Sequence, residues 1–476
     1  MTMNEELAHL RAENAALRSE NAHLHQLVSQ LQTALATAQE QIAVLEQRIA
    51  DVEQQPPKPP HFVKPNRPMP MDPKPPRKKR DSHHNTSRHR APPTCIVAHA
   101  LERCPDCDYQ LQGQSLDYTR QVIEIPAPQP VDIIEHQVFK RWCPHCQRWH
   151  RPTLDLQGQV LGQGRIGVRI ISLIAYLRTT LRLPVRLIRQ YLATIHRLTL
   201  SIGAIIELLH KTRQHLQPDV DTLKAQARAS PILHGDETGW REAGKNGYIW
   251  AFSTPGDTAV RYYEYDRSRA GAVVKRILGK DFTGHLATDF YAGYNIYAGK
   301  HQRCWSHLLR DLDALEEAHP ADGAIQGWAT AVRALYTGAM AHVTSIPPLA
   351  QAEREAQYVR LVSEVHGLGL TYAQVKNHAC QALAKRLLRH EDELFQFVLV
   401  DGLDATNNLA ERSIRPLVVI RKISGGSRSK EGTNTRMALA SLFGTWQARG
   451  LNPFAECFNR LSQTTAPRSK SSLPQQ

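Results

Sequence analysis

Two aspartates lie in stretches that read as β-strand, and strands are stiff elements that can hold carboxylates at a fixed separation. Asp236 sits in the apolar and β-branched stretch 231–240, and Asp289 falls near the end of 285–290. Carboxylate oxygens are hard ligands, the kind that Mg2+ and Mn2+ select. Two such ions roughly 4 Å apart make an attacking oxygen more nucleophilic and neutralise a leaving one, which is what phosphodiester transfer requires. Glu237 competes with Asp236 for this role, but side chains alternate along a strand, so the two acids point to opposite faces. Glu411 has two readings from sequence. It could be a third ligand, or it could close a capping box whose N-cap is Asn408. Pro416 should kink or end that helix within two turns.

The elements that must position these acids can be read from turn signals and periodicity. The stretches 231–240 and 248–254 form a hairpin through Ala243-Gly244-Lys245-Asn246-Gly247, and 258–265 follows Pro255-Gly256-Asp257. A helix over 269–278 and a strand over 285–290 complete the series. Three strands, a helix and a fourth strand is the order in which a ribonuclease-H-like α/β fold begins. In that fold the first and fourth strands are neighbours, so Asp236 and Asp289 can share one metal. The long interval from Asp289 to Glu411 reads as helical in its middle, which predicts a large helical insertion at about 310–400 inside a catalytic domain spanning 231–425. A C-terminal helical segment and polar tail occupy 426–476. His301, Cys304 and His307 could bind a metal, but a helix packed on the sheet explains them more simply.

Four of the eight cysteines form Cys104-Pro105-Asp106-Cys107 and Cys143-Pro144-His145-Cys146. Two Cys-x-x-Cys turns in a long chain predict a closed tetrahedral zinc site that holds a small ribbon over 95–155. Strand-like stretches at 121–125 and 133–139 lie between the pairs. Residues 4–53 carry heptads, with Leu7, Asn14, Asn21, Val28, Leu35, Ile42 and Ile49 at a, and Leu10, Leu17, Leu24, Leu31, Ala38 and Leu45 at d. This pattern predicts a coiled coil and a homodimer, in which each buried Asn pairs with its mate in register. Residues 54–94 hold twelve prolines and ten Lys or Arg against two Asp. They read as an extended basic arm in which Arg77, Lys78, Lys79 and Arg80 follow DNA phosphates. Residues 162–226 read as short helices with a break at Leu183-Pro184. Their arginines suit a helix-turn-helix-like DNA-binding domain. Beyond Glu411, Arg412, Arg415, Arg421, Lys422 and Arg428 surround Gly425-Gly426 and are further candidates for phosphate contacts.

The formal net charge is +14, and 41% of residues are hydrophobic. These values fit a multidomain chain that favours polyanions. With no long apolar run and an acidic, polar start, the expectation is a cytoplasmic, DNA-associated protein without a membrane span. The segments His234-Gly235-Asp236-Glu237-Thr238, Thr288-Asp289-Phe290-Tyr291-Ala292-Gly293-Tyr294, Cys304-Trp305-Ser306-His307 and Asn408-Leu409-Ala410-Glu411-Arg412 together resemble transposases of the insertion sequence 66 family. By that resemblance Asp236, Asp289 and Glu411 match an acidic triad that holds two divalent ions, Mg2+ or Mn2+. It also implies cleavage at element ends and joining of 3′-hydroxyls to target DNA. Two other functions use the same elements: a zipper-dimerised, zinc-containing regulator without catalysis, and a ribonuclease-H-like nuclease without strand transfer.

Overall fold

The computed structural model describes residues 3–53, 92–125, 127–346 and 348–463. Arg77, Lys78, Lys79 and Arg80 of the expected basic arm lie outside the described residues, as does the tail from residue 464. The chain divides into two compact units, Met1–Ile123 and Glu124–Gln476. In the first, α1 (Met3–Glu53) is one uninterrupted helix. Its sequence contains no glycine or proline, so nothing breaks the ladder. The described seam residues, including Leu17, Leu24, Leu31, Leu35, Ile42 and Leu45, are exposed along this single chain.

The second unit opens with a small hairpin, β1 (Arg141–Cys143) paired antiparallel to β2 (Arg148–His150) around the second cysteine turn. The stretches 121–125 and 133–139, expected to be strands, run without any ladder, and Ile123, Ile125, Ile133 and Phe139 are exposed. Strand propensity needs a neighbour to pair with and a face to bury, and neither is present beside these stretches.

Four helices follow: α2 (Val168–Thr179), α3 (Val185–His196), α4 (Ile202–His215) and α5 (Gln217–Ala229). Their boundaries follow from local chemistry. Pro184 precedes α3, Ser201 caps α4 by accepting from the Ala204 amide at 3.0 Å, and Pro218 sits in the first turn of α5. The sheet then forms from β3 (Ile232–Glu242), β4 (Lys245–Ser253) and β5 (Arg261–Asp266), with α6 (Gly271–Leu278) preceding β6 (His285–Thr288) and β7 (His301–Arg303). The spatial order is β5-β4-β3-β6-β7. β3 is antiparallel to β4 and parallel to β6. The β3–β4 turn is tighter than the five-residue link expected. Only Ala243 and Gly244 lie between the strands, both at positive φ, as a two-residue hairpin turn demands. β7 has no counterpart in the sequence reading, because three residues are too few to show an alternation.

Between β7 and the last helices lies the helical insertion: α7 (Trp305–Ala318), α8 (Gly323–Val343), α9 (Gln351–Ala373), α10 (Gln381–His390) and the short α11 (Gln396–Leu399). Its core is built on Trp305, Trp328, Leu387 and Phe395, and Ile232 of β3 and Ala287 of β6 join it. Arg303, only 1% exposed, ties it to the sheet by donating to Glu393 at 2.6 Å. The chain closes with α12 (Asn408–Ser424), α13 (Lys430–Ala448) and α14 (Pro453–Ser462). α12 runs through Pro416 for two more turns rather than ending there.

The two faces of the sheet belong to different cores. Leu233, Trp250, Phe252, Tyr262 and Leu286 pack with α2–α6, α13 and α14. Trp240, Ile249, Ala251 and Tyr263 pack under α12. The helices expected as a separate DNA-binding domain therefore share one core with the sheet. After α12, Gly426 takes φ +125 and lets Ser427 donate to the Arg241 carbonyl at 2.8 Å, while Ala243 donates back to Ser427 at 2.9 Å. A Cβ on Gly426 would run into that same carbonyl oxygen. Gly426→Ala should destabilise the protein by about 2 kcal/mol or more. Urea unfolding measures this, and a variant as stable as the parent would contradict the described loop.

Candidate active site

Strand alternation decides which acids meet. Across the β3–β4 ladder Asp236 stands opposite Ala251 and Glu237 opposite Trp250. Ala251 belongs to the core under α12 and Trp250 to the core on the other face. Asp236 therefore faces the layer that carries Glu411, and Glu237 faces away. On the other side, His234 stands opposite Ala287 of the parallel β6. Asp289, two residues past Ala287, thus keeps step with Asp236, two residues past His234.

The charges report this gathering. The Asp236 carboxyl is pushed up to about 7, first by burial and then by the neighbouring charges of Glu237, Asp289 and Glu411. The Glu237 amide, donating to Asp236 Oδ1 at 2.9 Å, acts in the opposite direction. Glu237 is also raised by burial, with two partners opposing: Tyr294 donates to Oε2 at 2.6 Å, and Arg269 donates to Oε1. With both oxygens engaged, Glu237 acts as a brace between β3 and the turn after β6.

Glu411 departs from the capping-box reading. The N-cap of α12 is Asn407, not Asn408, so Glu411 lies one position too far along to reach back to the cap. Its Oε1 is buried with no hydrogen-bond partner, and His307 Nε2 and Arg310 each approach it at 3.8 Å. A buried carboxylate oxygen without a hydrogen bond is costly unless a cation completes it, and a carboxylate is the kind of ligand a hard divalent ion takes. Cys304, His307 and Glu411 bring one ligand atom each within 4.8 Å of one another. Burial raises the Cys304 thiol, and its sulfur accepts from the Asn407 amide at 3.1 Å, so it serves the start of α12. His301 is not in the group; its Nε2 is 2.7 Å from the Tyr297 carbonyl.

Sequence reasoning missed three positioning residues. Asn407 is buried and donates from Nδ2 to the Gly235 carbonyl at 2.7 Å, one residue before Asp236. Its Oδ1 is then the acceptor facing His234 Nδ1 at 3.3 Å, and burial keeps that imidazole neutral, with its pKa lowered to about 4. Arg303 donates to the Asp289 carbonyl at 3.0 Å and to Asn295 at 2.7 Å. Tyr294 holds Glu237 as described. Of the three, only Tyr294 had a signal in the sequence, as the last residue of the Thr288–Tyr294 segment; Asn407 lies just before the Asn408 motif. Among the predicted phosphate contacts, Arg412, Arg415, Lys422 and Arg428 are exposed. Arg421 is different: one guanidinium nitrogen donates to Thr238 Oγ1 at 2.9 Å and to the Gly239 carbonyl, which fixes α12 to β3.

The cysteine turns are built alike. A residue at positive φ follows each, Asp108 and Gln147. Backbone amides aimed at the first sulfur lower the Cys104 thiol, with Asp106 leading, and the Cys143 thiol, with Cys146 leading. Such thiolate-favouring turns fit zinc. His150 lies within ligand reach of Cys143 and Cys146.

Comparison with known sequences gives two family matches. Residues 163–435 match the pattern described as Transposase IS66 family, and residues 102–147 match the zinc-finger binding domain of transposase IS66. Among curated relatives, the uncharacterized proteins y4jD and y4qI of Sinorhizobium fredii (strain NBRC 101917 / NGR234) are 27% and 26% identical to the chain. The y4jD match covers 50% of this chain and 51% of the relative, and the y4qI match 46% and 43%. The chain thus spans about half the length of the curated relatives it matches. No described helix is long and apolar enough to cross a membrane.

The raised Asp236 carboxyl sets a pH dependence. Folding favours its protonated form, so its contribution to stability is lost as pH climbs from about 4 towards 7 and stays lost above. In metal-free protein, Asp236→Asn should therefore gain roughly 1–3 kcal/mol over the parent at pH 8 and little at pH 4. Thermal unfolding at the two pH values tests this; equal stability at pH 8 would mean the acids are not gathered. Mg2+ should raise the parent's melting temperature more at pH 8 than at pH 5.

Proposed function

Since the chain belongs to the IS66 family of transposases, we propose that it cleaves DNA at transposon ends and joins the 3′-hydroxyls to target DNA, with Asp236, Asp289 and Glu411 as the acidic triad. The observation that carries this reading is the buried Glu411 Oε1, without a hydrogen-bond partner, on the layer that Asp236 faces. The sheet order supports a ribonuclease-H-like catalytic domain, with Asp236 on β3 and Asp289 one residue past the end of the adjacent parallel β6. When bound, two divalent ions would supply a more nucleophilic attacking oxygen and charge neutralisation at the leaving oxygen.

The chain's own groups prepare the site. Asp236, Asp289 and Glu411 offer the hard oxygen ligands. Asn407 keeps α12 against β3, so Glu411 holds its distance from Asp236. Glu237 braces the strand from behind and does not compete for the ions. Arg412 and Arg415, exposed on α12 close to Glu411, take phosphates flanking the scissile bond. No covalent protein intermediate is required, because water and then the freed hydroxyl are the nucleophiles.

Zinc held by Cys104, Cys107, Cys143 and Cys146 completes the small ribbon and has a structural role. A second copy of the chain covers the exposed seam of α1, with Asn14 and Asn21 paired in register. Both readings come from the heptads and the cysteine spacing.

Purified protein incubated with labelled element ends and Mg2+ should yield strand-transfer product. Asp236→Asn, Asp289→Asn and Glu411→Gln should each lower that product by at least about 1000-fold while DNA binding persists. Glu237→Gln should retain transfer within about tenfold of the parent. Binding without cleavage by the parent would overturn the proposal, and hydrolysis without joining would reduce it to a nuclease. Metal analysis should find zinc in the parent and its loss in Cys143→Ser.

A further inference from the structure

α2–α4, α12 and α13 enclose a cavity of about 740 Å3 that includes none of the acids described above. Its wall carries Arg178, Arg186, Arg428, Arg436 and His210, and no Asp or Glu. Arg178 spends one donor on the Leu183 carbonyl at 2.8 Å, and His210 pairs with Thr435 at 2.7 Å. Glu431, on the same helix as Arg436, is taken by Arg213 at 2.8 Å. Arg436 is partly buried and makes no hydrogen bond or ion pair among the described residues. Burial, then the Arg178 charge, pull its guanidinium down to about 9. A desolvated cation beside a second cation is unfavourable for the empty fold, so the arrangement suits an anionic ligand.

Apolar side chains, Tyr263 and Phe443 among them, and small polar ones make up the remaining wall. Ile206 of α4 and Ile423 of α12 line it and are 38% and 50% exposed. A ligand that satisfies both walls has an anionic group and a flat apolar face. We propose that this cavity takes an unpaired nucleotide of a DNA strand, its phosphate on Arg436 and Arg178 and its base against Ile206 and Ile423. Duplex phosphates lie on the outside of a stiff cylinder and do not reach a recessed guanidinium, whereas a flexible strand can thread in and offer an unstacked base. The inference rests on the DNA-processing reading above and adds a second, non-catalytic contact for a single strand, separate from the acids.

Fluorescence anisotropy of the full chain in EDTA, with a labelled oligothymidine of about 15 nucleotides and a duplex of the same length, tests the assignment. Arg436→Gln and Ile206→Glu should each weaken strand binding about tenfold and leave duplex binding within about twofold. Arg436→Gln should melt no lower than the parent, because it removes a partly buried cation whose side chain has no partner among the described residues. Unchanged strand affinity would overturn the proposal, as would an equal loss on strand and duplex, which marks general phosphate attraction. A lower melting temperature in Arg436→Gln would instead make the residue structural. Displacement of the strand by poly-glutamate as readily as by unlabelled oligothymidine would also overturn it, since the cavity would then select charge alone. Metal-free binding is independent of cleavage, so failure here leaves the transfer reading standing, and inactive protein that keeps this binding leaves the cavity standing.

Discussion

One buried amide holds the candidate site together. Asn407 donates to the Gly235 carbonyl, faces His234 and offers its own backbone N–H to Cys304. Three segments far apart in sequence meet at that side chain: the first acidic strand, the entrance to the helical insertion and the start of α12. A buried amide demands its full set of partners, so these segments can approach in one arrangement only. The position of Glu411 relative to Asp236 depends on it, and so does the register of α12 along the sheet.

Around that tie, the two-residue period of β3 separates duties. His234 and Asp236 look toward α12, and Gly235 and Glu237 look toward the helices on the opposite face. Tyr291 and Tyr294, after Asp289, belong to the second set, while Phe290 packs against the core of the insertion. Tyr294 binds Glu237, and Tyr291 lies under Arg269, with 3.9 Å from guanidinium to ring centroid, while its hydroxyl donates to the Arg269 carbonyl. A motif that reads as a ligand followed by a turn is an acid followed by its own scaffold. The side of the sheet without the acids fixes the side that has them.

Four of the five sheet strands, the helices between β7 and α12 and the alternation of Asp236 with Glu237 were legible because each has a period long enough to count. What sequence could not supply came from two sources. Some contacts join residues more than a hundred positions apart, such as Asn407 with Gly235, and no local pattern encodes them. Others depend on shifts of one residue. Placing the N-cap at Asn408 instead of Asn407 turns Glu411 into a capping residue, although helix ends are the least determined part of any helix. The stretches 121–125 and 133–139 have strand composition without a sheet edge to join, because β propensity reflects a surface to fit rather than a backbone preference. Arg421 looked like its exposed neighbours in sequence, and only the closeness of Thr238 turns it inward.

Arg303 has a further consequence, for how this chain could be shortened. Its guanidinium reaches Glu393 in the insertion and Thr288, Asp289 and Asn295 beside the second acid. The helices between β7 and α12 look like a removable module, since most of the core they pack around is theirs. Excising them would strip a buried cation of its counter-charge next to the strand that leads to Asp289. A minimal version of this protein therefore cannot be made by trimming the insertion alone. It would need a new residue at position 303 whose side chain could lie buried without a carboxylate.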